Sequence, residues 1–139
     1  MKEYKTQKDL LKNAFKDEYM CDSQLAFFEK RLKHDRESVL KSIENTKSDF
    51  TNEEVTSDEN DMASNQEIKI RNLRLIERQT KLLHKIENAI DRIHNGEFGY
   101  CDRTGEEIGL PRLLARPTAT LSIEAKESQE VIERQDHSE

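Results

Sequence analysis

The chain has 139 residues, of which 33% are hydrophobic and 37% are charged, and it contains no Trp. This composition excludes a large compact core and favours exposed helices or a coiled coil. The formal net charge of −6 argues against binding driven by nucleic-acid phosphates, so we expect no sequence-specific DNA contact. The sequence has no transmembrane run and no signal-peptide region, and its two cysteines then indicate a reduced, cytoplasmic protein.

The first predicted elements are a short amphipathic patch and a long helix. The patch lies within residues 1–21 and consists of Leu10, Leu11, Phe15 and Tyr19. Residues 23–48 contain neither Gly nor Pro and follow suitable N-cap residues. Apolar side chains recur there at spacings of three, four and seven residues, which predicts an amphipathic helix. These side chains are Leu25, Phe28, Leu32, Val39 and Ile43.

Residues 49–61 interrupt the helical pattern with six acids, no Lys or Arg, and several turn-forming side chains. A second periodic run follows, and its seam becomes polar toward the acidic segment at Asn72 and Gln79. Two long helices joined by a short loop form an antiparallel hairpin. The sequence therefore predicts an all-α protein with a coiled-coil hairpin at 23–95 and an acidic tip at 49–62.

A turn-rich module at 96–126 has the outline of a zinc finger that has lost its ligands. A four-thiolate zinc site takes two sulfurs from each of two Cys-x-x-Cys turns. The corresponding segments here are Cys101-Asp-Arg-Thr104 and Ser122-Ile-Glu-Ala125, so one sulfur is present. Packing must then replace the stabilisation of about 10–16 kcal/mol that structural zinc supplies. The candidates for that packing are Ile108, Leu110, Leu113, Leu114, Leu121 and Ile123.

The remaining segments complete a small globular part. Residues 1–22 are expected to join the module at 96–126, and residues 127–139 are predicted to form a short polar C-terminal helix. Long charged hairpins commonly serve as spacers or dimerisation arms. However, a basic second helix and carboxylates at the tip also suit entry into a deep, cation-lined channel. The chain lacks a nucleophile with a neighbouring base, a phosphate-binding glycine loop and a metal triad, so we expect no enzyme.

Three segments together resemble the DksA/TraR family of bacterial transcription factors. They are Asp17-Glu-Tyr-Met20, Asp58-x-x-Asp61-x-Ala63, and Gly99-Tyr-Cys101 through Arg116-Pro-Thr-Ala119. The resemblance implies a factor that binds bacterial RNA polymerase directly and inserts its coiled coil into the secondary channel. Asp58, Asp61 and Ala63 would then lie near the polymerase active site. We expect a monomer without a membrane contact that changes the lifetime of promoter open complexes.

The resemblance also implies that guanosine tetraphosphate (ppGpp), the signal of the stringent response, acts as a co-regulator. The positions that match the family's nucleotide contacts are Arg78, Leu82, Lys85, Arg116 and Lys126. Four cations around one aliphatic side chain suit a guanine nucleotide that carries two diphosphates. Without the resemblance, Arg78 and Lys85 would be ordinary solvated helix cations.

The chain departs from the resemblance at zinc. The family's best-known members hold one ion with four Cys, and the matching positions here are Cys101, Thr104, Ser122 and Ala125. We therefore expect a zinc-independent factor without a metal cofactor. Cys101 is either a small residue that fills the former knuckle or a redox-active thiol, and a disulfide with Cys21 is not expected.

Two alternatives stay open at this point. One is a different secondary-channel factor that acts on transcript cleavage, which would need no cationic nucleotide cluster. The other is a structural helical hairpin that binds partners or dimerises through its seam.

Overall fold

The computed structural model describes the backbone of residues 3–51 and 59–137 and the side chains of residues 3–49 and 63–136. It contains the helices α1 (Gln7–Lys12), α2 (Asp22–Thr51), α3 (Glu59–Asn95), α4 (Leu110–Ala115) and α5 (Ile123–His137). The described residues form no strand and only one isolated bridge, between Tyr100 and Glu107. The predicted all-α class is confirmed. No described helix is both long and apolar enough to cross a membrane.

Both long helices run further into the acidic segment than the sequence predicts. α2 ends at Thr51 rather than at residue 48, and α3 begins at Glu59 rather than at residue 62. Inside a helix, Asp, Phe and Thr cost less than about 1 kcal/mol each relative to Ala, and extension of a formed helix adds one hydrogen bond per residue. A composition typical of turns therefore does not end a helix that already exists.

The chain divides into two compact units. Unit 1 comprises Met1–Leu32 and Asn88–Glu139, and unit 2 comprises Lys33–Glu87. Unit 1 thus contains α1, α4, α5, the start of α2 and the end of α3. Unit 2 contains the rest of the two long helices.

Unit 2 is a helical hairpin with a mixed seam. Ile43 and Ile86 are buried in it, and so is the polar Thr46, at 7% exposure. Gln79 donates a hydrogen bond from Nε2 to Ser42 Oγ. A polar layer therefore takes the place of an apolar pair, at one of the positions where the sequence predicts a polar seam.

The core of unit 1 is built around Phe28. The ring of Phe28 is fully buried, and its centroid lies 5.3 Å from that of Phe98 and 5.4 Å from that of Phe27. Leu10 of α1 and Leu113 of α4 are also fully buried. Each such side chain contributes about 1.5–3 kcal/mol when it leaves water. Packing therefore holds the two short helices, which are too short to be stable by themselves.

Several details of unit 1 differ from the sequence predictions. α1 and α4 were not expected, because six residues offer too few positions for a periodic signal. α5 begins at Ile123 instead of residue 127. Ile123 is 56% exposed and Phe15 is 100% exposed, so neither belongs to the core. The other expected packing residues do contribute: Ile108, Leu110, Leu113 and Leu114 are buried, and Leu121 is half-buried.

Candidate functional site

Among the predicted tip residues, Ala63 is the one whose side chain is described. It lies in the second turn of α3 and is exposed. Asp61 belongs to the first turn of α3, but its side chain is outside the described part of the chain. Asp58 lies outside the described residues altogether. The roles of the two aspartates therefore stay predictions.

Three of the predicted nucleotide contacts share one face of α3 in unit 2. Arg78, Leu82 and Lys85 are separated by four and three residues, a spacing that places side chains on one side of a helix. All three are exposed, and Leu82 is 41% exposed. Neither cation forms an ion pair within the described part of the chain. This face of α3 therefore offers two unpaired positive charges beside an apolar side chain.

The other two predicted contacts, Arg116 and Lys126, belong to unit 1. Arg116 follows α4 and is exposed, and its carbonyl accepts a hydrogen bond from the N–H of Ala119 at 3.0 Å. Lys126 is half-buried in the first turn of α5 and lines a small cleft together with Glu130 and Glu133. An anion bound at Lys126 would therefore lie near two carboxylates.

Cys101 lies in a tight turn and is 4% exposed. Its N–H donates to the carbonyl of Glu106 at 2.7 Å. Burial raises the pKa of the thiol. Hydrogen bonds to the sulfur from the Thr104 hydroxyl and from the backbone N–H groups of Ser122, Thr104 and Arg103 outweigh burial and lower the pKa to about 6. The turn thus stabilises a thiolate by hydrogen bonds alone, and Cys101 and Cys21 are both free thiols.

Arg92 links the end of α3 to this turn. Its guanidinium donates to the carbonyl of Tyr100 at 2.6 Å and to that of Glu97 at 3.1 Å, and it forms an ion pair with Asp102. The Arg92 side chain is only 15% exposed. From the sequence alone, Arg92 is one of the solvated cations of the basic second helix. One sequence pattern could have indicated this linking role: an Arg in the last turn of a helix that is followed by Gly96 and then by an acidic residue.

Tyr19 fixes the other side of the same segment. Its hydroxyl donates to the carbonyl of Gly99 at 2.6 Å and accepts from the N–H of Gly109 at 2.9 Å. Burial is the main cause that raises the pKa of Tyr19 to about 12. Gly99 has a φ of +92°, and a Cβ there would lie 2.6 Å from Cγ of Met20. The segments around Tyr19 and Gly99, which carry part of the resemblance, are therefore structural supports of unit 1.

Comparisons with known proteins agree with this architecture. The protein-family model described as "DnaK suppressor protein DksA, N-terminal domain" matches residues 24–93. A second family model, "Prokaryotic dksA/traR C4-type zinc finger", matches residues 96–131. The RNA polymerase-binding transcription factor DksA of Caulobacter vibrioides is 44% identical over 117 residues, which are 84% of this chain and 82% of that protein. The chain belongs to the DksA/TraR family.

Comparisons with other members of the family support the same assignment. The RNA polymerase-binding transcription factor DksA of Escherichia coli K12 is 37% identical over 120 residues, which are 86% of this chain and 80% of that protein. The solved structure of transcription factor DksA2 from Pseudomonas aeruginosa has a TM-score of 0.78 and 48% identity. This match covers 84% of this chain and 90% of that chain.

The four residues at the zinc positions of this DksA/TraR member do not fit an ion held by four cysteines, as the matched C4-type finger model describes. Thr104 Oγ1 accepts a hydrogen bond from the N–H of Glu106. Ser122 Oγ accepts one from the N–H of Ala125 at 3.2 Å, so Ser122 serves as the N-cap of α5. Ala125 has no donor atom in its side chain. Within the described ranges, no group of three or more His, Cys, Asp and Glu is placed to hold a metal ion.

The residues that could substitute as ligands are also engaged elsewhere. His94 lies 3.5 Å from a carboxylate oxygen of Glu29, and Asp102 is paired with Arg92. Within the described residues, they do not form with Cys101 a group placed to hold a metal ion. Hydrogen bonds and helix capping occupy the positions where other family members place thiolates.

Proposed function

We propose that this DksA/TraR member is a transcription regulator that binds bacterial RNA polymerase directly through the secondary channel. One observation supports this above all. The chain is 44% identical, over 84% of its length, to a protein named as an RNA polymerase-binding transcription factor. It acts in the cytoplasm as a monomer and alters the stability of promoter open complexes without catalysing a reaction.

The acidic tip carries the regulatory effect in this proposal. Asp58 and Asp61 reach toward the polymerase active centre, where carboxylates engage basic side chains or perturb the magnesium environment. Ala63 is small and exposed, which permits close approach. The factor changes the lifetime of the open complex because it binds one state of the polymerase–promoter complex more tightly than another.

The exposed face of α3 supports a role for ppGpp. Arg78 and Lys85 offer charge-assisted hydrogen bonds to phosphates, and Leu82 between them offers an apolar contact to a base. Arg116 and Lys126 are proposed as further contacts on the basis of their match to the family positions. We expect Arg116 to matter more, because Lys126 shares its cleft with two acids.

Zinc independence is the third part of the proposal. Four thiolates would be needed for the family's ion, and Thr104, Ser122 and Ala125 provide none. The buried leucines of α4 and the hydrogen bonds of Arg92, Tyr19 and Ser122 stabilise the module in place of the ion. Function should therefore persist when zinc is scarce or when thiolate clusters are oxidised.

The half-life of open complexes at a ribosomal-RNA promoter tests the three parts together. The measurement uses a zinc-selective chelator with magnesium kept in excess, and it compares reactions with and without ppGpp. We expect this protein to shorten the half-life in chelator, and ppGpp to shorten it further. Asp61→Asn should bind polymerase with unchanged affinity but lose the effect. Arg78→Ala should keep the basal effect and lose the part that depends on ppGpp.

Different failures contradict different parts of the proposal. An unchanged half-life with folded protein bound to polymerase would contradict the role in open complexes, and full activity of Asp61→Asn would contradict the tip assignment. Stoichiometric zinc in the purified protein, with unfolding on chelation, would contradict zinc independence. A change in transcript cleavage without a change in half-life would favour the alternative secondary-channel factor.

A further inference from the structure

The N-terminal segment 3–16 presents an aromatic ring that the fold does not use. Phe15 is 100% exposed, and Leu11 is 43% exposed. Leaving a Phe side chain in water forgoes about 1.5–3 kcal/mol of burial. The segment also precedes both matched family models, the first of which begins at residue 24. This surface therefore lies outside the two matched family models.

Hydrogen bonds stabilise the turn that carries Phe15. The backbone N–H and the side-chain amide of Asn13 both donate to the carbonyl of Asp9, at 3.2 Å and 2.8 Å. The carbonyl of Asn13 in turn accepts from the N–H groups of Lys16 and Asp17, at 3.0 Å and 3.2 Å. Four hydrogen bonds therefore fix the backbone on both sides of Phe15, so the fold holds the base of the exposed side chain in place.

The same segment is positively charged, in contrast to the chain as a whole. The segment contains four exposed lysines, at positions 5, 8, 12 and 16, and two acids. The whole chain, by contrast, has a net charge of −6. None of the four lysines forms an ion pair within the described part of the chain. We call Lys8, Leu11, Lys12, Phe15 and Lys16 the N-terminal basic surface. It combines unpaired cations with uncovered apolar side chains.

We infer that the N-terminal basic surface docks on an acidic surface of RNA polymerase that contains an apolar pocket. Phe15 fills the pocket, and Lys12 and Lys16 pair with carboxylates beside it. Buried aromatic side chains flanked by polar contacts are the usual anchors of protein interfaces. The inference rests on the proposed function, which supplies the polymerase as partner. It adds a second contact on the same chain, which raises the overall affinity through effective concentration.

A protein surface fits better than a nucleic acid. Asp17 and Glu18 follow Lys16 directly. A nucleic-acid backbone bound along the lysines would therefore also place phosphates near two carboxylates, which repel them. The net charge of −6 opposes the same partner over longer distances. A protein can instead place individual carboxylates opposite Lys12 and Lys16 and leave the acids in solvent.

The test is the affinity of the full-length chain for core RNA polymerase without DNA, measured with Phe15→Ala, Phe15→Leu and Lys12→Glu/Lys16→Glu. We expect Phe15→Ala to weaken binding about tenfold, which corresponds to about 1.4 kcal/mol. Phe15→Leu should recover part of this loss, because it restores apolar contact. The double lysine variant should weaken binding most at low salt, since screening reduces charge attraction.

Two matched controls separate binding from folding. Ile132→Ala removes an apolar side chain that is 48% exposed on α5, and Lys30→Glu reverses an exposed charge on α2. Both should bind polymerase like the unmodified chain. Because the Phe15 ring is fully exposed, Phe15→Ala should leave the thermal midpoint of unfolding unchanged.

Each other outcome overturns the inference. Equal affinity of Phe15→Ala and the unmodified chain would exclude a contact at Phe15 while leaving the proposed function intact. No binding by the unmodified chain would remove the proposed function and this inference together. Two further results would assign the surface to another partner: a concentration-dependent dimer in sedimentation that Phe15→Ala abolishes, or binding of single-stranded DNA that the lysine variant abolishes.

Discussion

Unit 1 and unit 2 are stabilised by different kinds of contact. The buried hydrophobic residues of the described chain lie almost entirely in unit 1, and unit 2 contributes only Ile43 and Ile86 to them. Unit 2 instead buries Thr46 and forms the Gln79–Ser42 hydrogen bond in its seam. Since apolar burial is the dominant favourable term in folding, unit 1 should account for most of the folding free energy.

The surface of unit 2 is also partly apolar. α3 of unit 2 exposes several large apolar side chains together with its cations. These apolar side chains are Ile68, Ile70, Leu73, Leu75 and Leu82. Side chains that do not pack within their own unit are available to a partner. Unit 1 therefore provides most of the stability, and exposed apolar side chains occur on both units.

The largest expected effect comes from opening the core of unit 1. Leu113→Ala should lower the free energy of unfolding by about 2–5 kcal/mol, because Leu113 is fully buried and its removal leaves a cavity. Leu73→Ala in unit 2 is the control, since Leu73 is 55% exposed and should cost about 0.5 kcal/mol or less. Urea denaturation followed by circular dichroism measures both. Similar losses for the two variants would contradict the assignment of stability to unit 1.

Sequence periodicity captured the long helices because each places many apolar residues on one stripe, as at Phe28, Leu32 and Ile43. It could not find α1 or α4, whose single buried faces are too short to repeat. The helix ends at Thr51 and Glu59 were also missed, because helix propagation outweighs weak local propensities. The two long helices were therefore predictable, whereas the two short helices and the exact helix ends were not.

The candidate site came from the family resemblance rather than from periodicity. Arg78, Leu82 and Lys85 lie on one face of α3, as their spacing on one helix requires, and their role as nucleotide contacts stays a prediction. The positions of Arg116 and Lys126 depend on turns that have no periodic signal. The linking roles of Arg92 and Tyr19 could not be found either, because their partners are backbone carbonyl and N–H groups that any residue type supplies.

Removing the hydrogen bonds of Arg92 should have an intermediate effect on the free energy of unfolding. This change tests the contribution of hydrogen bonding in unit 1 separately from that of its apolar core. Arg92→Met keeps most of the apolar stem but leaves the carbonyls of Tyr100 and Glu97 without this donor. We expect a loss of about 2 kcal/mol, the range for hydrogen bonds to a charged group. Most of it should come from the two carbonyls, because Asp102 is 53% exposed and its ion pair is weakened by solvent.

The control for Arg92 is Arg103→Met in the same module. Arg103 is exposed, and no side-chain hydrogen bond or ion pair of Arg103 is present in the described structure. Its replacement should change the free energy of unfolding by about 0.5 kcal/mol or less. Equal effects of the two variants would mean that Arg92 does not link α3 to the turn at Cys101.

The smallest expected effect at neutral pH concerns the turn at Cys101, and it grows as the pH rises. The folded-state pKa of the thiol is about 6, below the ordinary value of 9.0. A depressed folded-state pKa adds stability that is fully present above the unfolded pKa and is lost as the pH falls through the folded pKa. The advantage of the unmodified chain over Cys101→Ala should therefore shrink as the pH is lowered from 9.0 to about 6.

Thr104→Val tests the cause of this shift, because it removes the hydroxyl that donates to the sulfur and keeps a similar shape. We expect the thiolate midpoint, followed by ultraviolet absorbance, to rise by about one pKa unit, which corresponds to about 1.4 kcal/mol. The backbone N–H donors of Ser122, Thr104 and Arg103 remain, so the midpoint should stay below 9.0. A midpoint near 9.0 in the unmodified chain would show that burial outweighs the hydrogen bonds, and the former knuckle would then hold a neutral thiol.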